Sequence, residues 1–357
     1  MKKVLFALCA LSLLTLGACK KENVAPDTPG ANPGGNTPGV NEDQIPDGEG
    51  YYKPGAKIAE LQSDGETVEL WNWEDGLLTA IQAPDSNGNM ADASVFTYKS
   101  KRLATATTAM MDMPMQANYA YQGSQLASVS AAVGPMQAAN IAFGHNANGK
   151  ISNVTVTVNE QLLGMLSNLL GSGLLDGIDF GNFFGKGAQQ KLAFTSSNIA
   201  VDMEWQGDNV SRQRVAVDIN GSVTLGEIRQ MVNLDSLLGG MAAMLALIPD
   251  STQMPLSIAM RDTMDMTYDS HPNPYCGFLG RLEPAALSAN NMLSSHNAMS
   301  ATVTLTLATS FGNFPIPMPL PLSEPEDETY TYTYNAAGYP ETVTDGNGDV
   351  TRIIYQQ

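Results

Sequence analysis

The sequence is poor in charged residues, and most of the charge it has is negative. Charged residues make up 15% of the 357, with 18 Lys and Arg against 36 Asp and Glu, for a net charge of −18. An ordinary soluble domain carries about 25% charged residues. Phosphate backbones and anionic lipid head groups are bound by clustered Lys and Arg, so this composition argues against a nucleic-acid partner.

Cysteine and histidine are also scarce, with three of each. If Cys19 carries lipid, as argued below, Cys276 is the single thiol of the mature chain and no internal disulfide can form. His145, His271 and His296 have no Cys or His at metal-ligand spacing. The chain also lacks a Gly-x-Ser-x-Gly elbow and a Walker-type phosphate loop. We therefore predict no catalytic residues, no metal site and no cofactor, so that the protein is not an enzyme.

The N-terminus has the pattern of an export signal. Two lysines precede an apolar run from Val4 to Ala18, which as a helix would reach only about 22 Å, short of the ~30 Å core of a bilayer. We interpret residues 1–18 as a signal peptide. Leu16-Gly17-Ala18-Cys19 resembles the lipobox of bacterial lipoproteins, which implies cleavage before Cys19 and attachment there of acyl chains such as palmitate. An ordinary secretory signal is the alternative.

The segment that follows is typical of a disordered tether. From Lys21 to Gly50, 15 of 30 residues are Gly, Pro or Asn, and such a segment has little apolar surface to bury. We assign residues 19–50 to this lipidated tether. Lys20-Lys21-Glu22 partly resembles the signal that sends Bacteroidetes-type lipoproteins to the cell surface. The sequence thus predicts a lipid anchor in the outer membrane and leaves open whether the protein faces the periplasm or the exterior.

Residues 51–357 repeat one pattern and are predicted to form a single β domain. Each unit has two large apolar residues at i and i+2, then a polar turn, then further apolar residues, and the first four units start 25, 23 and 22 residues apart. The i, i+2 spacing places each pair on one face of a strand, and Asn, Asp and Gly supply the turn of a hairpin. The pairs are Trp71/Trp73, Phe96/Tyr98, Tyr119/Tyr121, Ile141/Phe143, Leu192/Phe194, Met203/Trp205 and Tyr332/Tyr334.

Two apolar segments interrupt the pattern, near 159–184 and 225–248. Their leucines, isoleucines and methionines recur every three or four residues, which predicts helices. Between them and around them, valines and leucines alternate with threonines, as in a sheet with one wet face. We predict a mostly β fold: an extended, curved antiparallel sheet of hairpin repeats with the two apolar helices packed on one face and the threonines facing outward.

Several turns carry a family resemblance. Asn335-Ala336-Ala337-Gly338-Tyr339 and Asp345-Gly346-Asn347-Gly348 look like the YD-type repeats of rearrangement-hotspot proteins. The stretch Asn273-Pro274-Tyr275-Cys276-Gly277 resembles Bacteroidetes-type outer-membrane lipoproteins built on such repeats. The resemblance implies a repetitive β fold and an exported lipoprotein, and it brings no catalytic residues.

The sequence contains one close cluster of acids with a histidine. Asp262, Asp265, Asp269 and His271 lie within ten residues, and on a strand the last three would share a face that a divalent ion could use. The preferred interpretation is a solvated strand or loop.

Three other patterns also have a structural interpretation that we prefer. Asp345, Asn347 and Asp349 match the first ligands of a calcium loop but lack its glycine and its terminal glutamate, which favours a hairpin tip, and Asp85 begins a weaker copy. The acidic run Glu324 to Glu328 could supply a glycosidase pair but is more typical of a charged loop. Three tryptophans could stack on sugars if exposed and form core if not, namely Trp71, Trp73 and Trp205.

These observations favour a cell-envelope lipoprotein that acts as a non-catalytic binding or scaffold module. It would contact the membrane through its lipid anchor and bind a protein, a glycan or an apolar ligand. One alternative is a carrier of lipid or another apolar molecule held between the sheet and the two helices. A second alternative is a glycan-binding or glycan-processing surface protein.

Overall fold

The computed structural model describes most of the chain beyond the tether. The described residues are 48–110, 113–160, 193–226, 247–281, 292–311, 314–316 and 326–357. The predicted signal peptide, Cys19 and nearly all of the predicted tether lie outside these ranges. The described residues form seventeen strands: β1 (Ile58–Ser63), β2 (Glu66–Glu74), β3 (Leu77–Pro84), β4 (Met90–Lys99), β5 (Arg102–Met110), β6 (Met113–Gln122), β7 (Gln125–Val133), β8 (Met136–His145), β9 (Ile151–Val158), β10 (Ala193–Gln206), β11 (Asn209–Thr224), β12 (Gln253–Pro272), β13 (His296–Phe311), β14 (Phe314–Ile316), β15 (Glu326–Tyr334), β16 (Pro340–Asp345) and β17 (Val350–Tyr355).

The strands form a closed antiparallel barrel. Each strand pairs with its neighbour in sequence from β1 to β13, β13 pairs with β15, and the chain continues through β16 to β17. The first strand then pairs with the last, from Ile58↔Tyr355 to Ser63↔Thr351. The short β14 lies beside the end of β13, and the other sixteen strands make the ring. The predicted open, curved sheet is therefore wrong, because the pairing of β1 with β17 leaves the ring without an edge.

The predicted arrangement of two helices on one face of an open sheet is not found either. The segments near 159–184 and 225–248 lie almost entirely outside the described residues. In the described part of the chain, helical geometry occurs only at Glu160 and at Leu225–Gly226. No helix in that part is long and apolar enough to span a membrane.

The predicted hairpins are confirmed with one exception. The turns follow local chemistry: Asp64-Gly65 and Asp75-Gly76 both have positive φ at both positions, the backbone that two-residue hairpins require. The exception is the unit from Leu192 to Ile199, predicted as strand, turn and strand. Its described residues belong to the single long strand β10, which continues to Gln206.

Inward and outward faces of the barrel differ sharply in polarity. On β9, Val154, Val156 and Val158 are buried while Thr155 and Thr157 are exposed, and the same alternation runs along β6 and β10. The apolar faces of β1 to β13 and of β17 therefore point into the ring, where their buried residues form one core cluster.

The strands alternate in direction, which gives the barrel two distinct ends. The turns at 75–76, 100–101, 123–124 and 207–208 lie at one end, together with residues 48–57 and the C-terminus. We call it the plugged end, because residues 273–281 and 292–295, the plug, connect β12 to β13 there. The opposite end, which we call the far end, carries the turns at 64–65, 85–89, 134–135 and 346–349.

Candidate functional site: the barrel interior

The outward face of the barrel is built for contact with water. Salt bridges cross neighbouring strands there, Arg212 to Asp265 at 2.5 Å and Arg261 to Asp218 at 2.7 Å. Threonine hydroxyls also pair across strands, with Thr97 Oγ1 lying 2.7 Å from its partner on β5. A barrel that spans a bilayer instead carries an apolar band outside and a polar interior. The polarity of this barrel is the reverse.

The number of strands determines how much space the apolar interior offers. Rings of about 8 strands are just wide enough for their own side chains to fill, and rings of about 16 leave a channel unless something else occupies it. Sixteen strands close this ring, and their inward side chains are buried. The interior must therefore hold more than the side chains of its wall.

At the plugged end the chain supplies that filling itself. Phe278 is 2% exposed and its ring lies 5.1 Å from that of Tyr52, 5.4 Å from Trp71 and 5.6 Å from Phe96. A Cβ added to Gly280 would lie 2.4 Å from the Phe278 ring, so the backbone approaches that ring as closely as only glycine allows.

Hydrogen bonds tie the plug to the wall of the barrel. The Tyr52 hydroxyl donates to the carbonyl of Pro274 at 2.5 Å, and the Tyr119 hydroxyl donates to that of Leu279 at 2.8 Å. Arg281 donates to the carboxylate of Glu69 at 2.5 Å. The plug is therefore held by hydrogen bonds to the wall and to the segment before β1 as well as by aromatic packing.

The residues where the tether enters are fixed to the rim of the same end. The Glu49 carboxylate accepts hydrogen bonds from the Leu126 N–H at 2.6 Å and from His145 Nε2 at 2.9 Å. Arg102 packs over the Tyr121 ring at 3.9 Å and donates to the Glu49 carbonyl at 3.1 Å. Residues 48–50, the last residues of the predicted tether, therefore lie at the plugged end.

The wall formed by β10, β11 and β12 contains polar atoms without hydrogen-bond partners. Ser197 Oγ, Gln213 Oε1 and Asp262 Oδ1 are buried and have no partner within the described residues. Arg102 Nη2 is a fourth such atom, at the rim of the plugged end. A buried polar atom without a partner costs about 1–3 kcal/mol, so three on adjacent strands need an explanation.

The structure brings together only Asp269 and His271 of the acid and histidine cluster, with Asp269 Oδ2 and His271 Nδ1 3.7 Å apart. Asp265 faces outward to Arg212, whereas Asp262 faces the interior. Asp269 accepts hydrogen bonds from the Tyr334 hydroxyl and from Asn297 Nδ2, and the His271 ring stacks on the Tyr334 ring at 3.8 Å. No group of His, Cys, Asp or Glu in the described part of the chain is arranged to hold a metal ion.

The calcium-like pattern forms hairpin tips, as the preferred interpretation predicted. Asp345 Oδ1 accepts the N–H groups of Asn347 at 2.8 Å and Asp349 at 3.0 Å, and Asp85 does the same in its own turn. The carboxylate is thus used by the backbone of its own turn.

The three tryptophans belong to the interior, which confirms the core interpretation over a sugar platform. Trp71 is buried and donates from Nε1 to Glu69 at 2.8 Å. The half-buried Trp73 and Trp205 donate to backbone carbonyls of the wall, at 2.7 and 2.8 Å.

The acidic run from 324 to 328 does not form a carboxylate pair within the described residues, which begin at Glu326. Asp327 faces outward and accepts from Thr302 at 2.7 Å, whereas Glu328 accepts from the Tyr330 hydroxyl at 2.8 Å. Cys276 lies in the plug as a free thiol, and burial raises its pKa, which disfavours the reactive thiolate.

Sequence analysis missed Gln213 as a residue of interest. The alternation that places Val215, Val217 and Ile219 on the inward face of β11 also places Gln213 there. A polar residue at an inward position of an otherwise apolar strand was the available signal.

Comparisons with known proteins add little to this geometry. No protein-family model matches the sequence, and no curated protein matches it. Among solved structures, a porin-like protein from Bacteroides uniformis is similar over 84% of this chain and 98% of its own, with 11% sequence identity and a TM-score of 0.35. That level of similarity transfers neither a fold nor a function.

Proposed function

We propose that this protein is a non-catalytic binding protein of the cell envelope, anchored to the outer membrane by lipid at Cys19, whose barrel stands in water and holds an apolar molecule. One observation carries the proposal: the ring of sixteen strands has an apolar inward face and a polar outward face. The outward threonines and salt bridges suit an aqueous setting, and the inward face suits an apolar ligand.

The arrangement of the two ends supports a ligand site in the far half of the barrel. The plug fills the plugged end, so a ligand would enter from the far end. The connections between β9 and β10 and between β11 and β12 both belong to the far end. The tether joins the barrel at the opposite end.

A scaffold with a closed core is the second candidate, and a specific observation favours it. Val223 and Leu256, inward residues close to the far end, are buried. If the chain itself covers them permanently, the barrel has no room for a ligand and its partner must bind the outer face.

The aqueous setting is tested by removing the anchor. One variant starts at Lys20 behind a conventional cleavable signal, and the control keeps its own signal and Cys19. We expect the control to require detergent for extraction and the variant to be released as a soluble protein. A variant that still requires detergent would show that the barrel itself sits in lipid, against the proposal.

The ligand is tested with N-phenyl-1-naphthylamine, an uncharged dye that fluoresces in apolar surroundings. We expect saturable binding to the anchor-free protein and displacement by a single-chain lipid alcohol. Fluorescence that does not saturate, or that a chain-length series of alcohols does not displace, would favour the closed scaffold.

A further inference from the structure

Two of the unpartnered polar atoms lie side by side in the barrel wall. Gln213 on β11 pairs with Met264 on β12, and Val215 pairs with Asp262. Gln213 and Asp262 are thus diagonal neighbours on adjacent strands, a relation that places side chains of one face about 7–8 Å apart.

Both side chains point into the barrel. Arg212 and Asp265, next to Gln213 and its partner, form a salt bridge on the outer face, and Arg261, next to Asp262, bonds to Asp218 there. Successive residues of a strand alternate between faces, so Gln213 and Asp262 face inward. Gln213 is 2% exposed.

The pair offers hydrogen-bond acceptors to the interior. Gln213 Oε1 and Asp262 Oδ1 have no partner within the described residues. Burial raises the pKa of Asp262 to about 6, and the nearby charge of Glu328 adds to the effect. Above that pH the carboxylate is ionised. The backbone of Thr263 donates one hydrogen bond to it, which lowers the pKa somewhat, while Oδ1 has no donor within the described residues.

The surroundings of the pair match an elongated amphiphile. Toward the plugged end, the backbone N–H of Val210 on β11 donates a hydrogen bond to Ser294 Oγ of the plug at 3.1 Å. The plug therefore limits the interior on that side of the pair. Toward the far end, the inward residues of the same strands are apolar, including Val217, Ile219 and Met260. A ligand standing on the plug would place one end at the acceptor pair and the rest against aliphatic side chains.

We propose that Gln213 and Asp262 form a subsite for the hydrogen-bond-donating head group of a single-chain amphiphile whose tail extends toward the far end. The inference rests on the proposed function, since it needs a ligand in the interior. An ammonium group has enough donors for both acceptors, whereas a hydroxyl has one hydrogen and would satisfy one of them. A fatty-acid carboxylate would meet the carboxylate of Asp262 and be rejected.

The test compares three ligands of equal chain length on the anchor-free protein at pH 8: hexadecan-1-ol, its methyl ether 1-methoxyhexadecane, and hexadecanoate. Each competes with N-phenyl-1-naphthylamine. We expect the alcohol to bind about tenfold more tightly than the ether, because the ether lacks the donor, and the carboxylate to bind most weakly. Equal binding of alcohol and ether by the unaltered protein would overturn the subsite.

The variant Gln213→Met keeps the length of the side chain and removes the acceptor. We expect the preference for the alcohol to fall about threefold or more. The ligand-free variant should also melt about 2–4 °C higher, because an unpartnered buried oxygen is gone. Gln116→Met, the same change at an outward position on β6, is the control and should leave the preference unchanged.

The outcomes separate the two proposals. If the unaltered protein binds none of the three chains, the proposed function fails and the subsite fails with it. If it binds them and Gln213→Met leaves the preference for the alcohol intact, the subsite is wrong and the binding function stands.

Discussion

The plugged end and the far half of the barrel solve the same problem in different ways. Both must fill a ring too wide for its own side chains. At the plugged end, Phe278 and its aromatic neighbours fill the space, and Tyr52, Tyr119 and Arg281 each find a partner. In the wall beyond the plug, Gln213 and Asp262 keep unpartnered oxygens among apolar neighbours.

Under the proposed function, the plug is stable through its own contacts, whereas the wall beyond it would gain stability from a ligand. A polar atom that is buried without a partner lowers stability, whereas a plug residue with a partner raises it. The plug therefore has the properties of a core, although Arg102 Nη2 at the rim is also unpartnered, and the wall beyond the plug is where the proposed ligand would bind.

The largest loss of stability should come from truncating Phe278, the side chain at the centre of the plug. Phe278→Ala leaves a cavity among three aromatic rings, so we expect the free energy of unfolding to fall by about 3–5 kcal/mol. Urea unfolding measures it. Leu247→Ala near the far end, at a side chain that is 87% exposed, is the comparison and should change it by less than about 0.5 kcal/mol. Similar losses at both positions would remove the distinction between the ends.

Adding a methyl group at a glycine of each end should also give different losses of stability. Gly280→Ala places a Cβ 2.4 Å from the ring of Phe278 and 2.8 Å from that of Phe96, so the plug must move, at a cost of about 1–3 kcal/mol. Gly346→Ala in a far-end turn meets Thr329 Oγ1 at 3.2 Å and should cost less than about 1 kcal/mol. Equal thermal shifts in the two variants would show that the plug is not tightly packed.

A smaller and pH-dependent effect is expected in the wall. Burial raises the pKa of Asp262 to about 6 from its ordinary 3.8, so the folded state holds this proton to a higher pH than the unfolded state. Its contribution makes stability fall as pH rises from about 4 to about 6, and the loss persists above that.

Asp262→Asn should therefore raise the free energy of unfolding by about 1–2 kcal/mol at pH 8 and leave it nearly unchanged at pH 4. Urea titrations of both proteins at the two pH values measure this. Asp265→Asn, which breaks an outward salt bridge, is the control and should lower stability by at most about 1 kcal/mol at pH 8. A loss of stability in Asp262→Asn at pH 8 would mean that the hydrogen bond from the Thr263 backbone outweighs the cost of burying the charge, against this expectation.

Local features of the fold could be predicted from the sequence, and global ones could not. The hairpins depend on short turns such as Asp75-Gly76 and on alternation within each strand, both of which lie within a few residues. Closure depends on Ile58 pairing with Tyr355, and no local pattern encodes a partner that far along the chain. An open sheet and a closed ring have the same alternation.

The candidate site was hidden for a related reason. Gln213 could be placed on a strand from sequence, but its lack of a partner follows only from which side chains surround it in the barrel. Asp262 stood out beside Asp265, Asp269 and His271, and the register of β12 sends it to the opposite face from Asp265. The plug segment stood out only for its family resemblance.

The most direct test of the account is native mass spectrometry of the anchor-free protein, exported to a periplasm and purified without detergent. We expect an excess mass that is lost on denaturation and that extracts into organic solvent as a single-chain amphiphile with a hydroxyl or amine head. A bare protein mass, together with no uptake of hexadecan-1-ol, would contradict it and leave the barrel a closed scaffold.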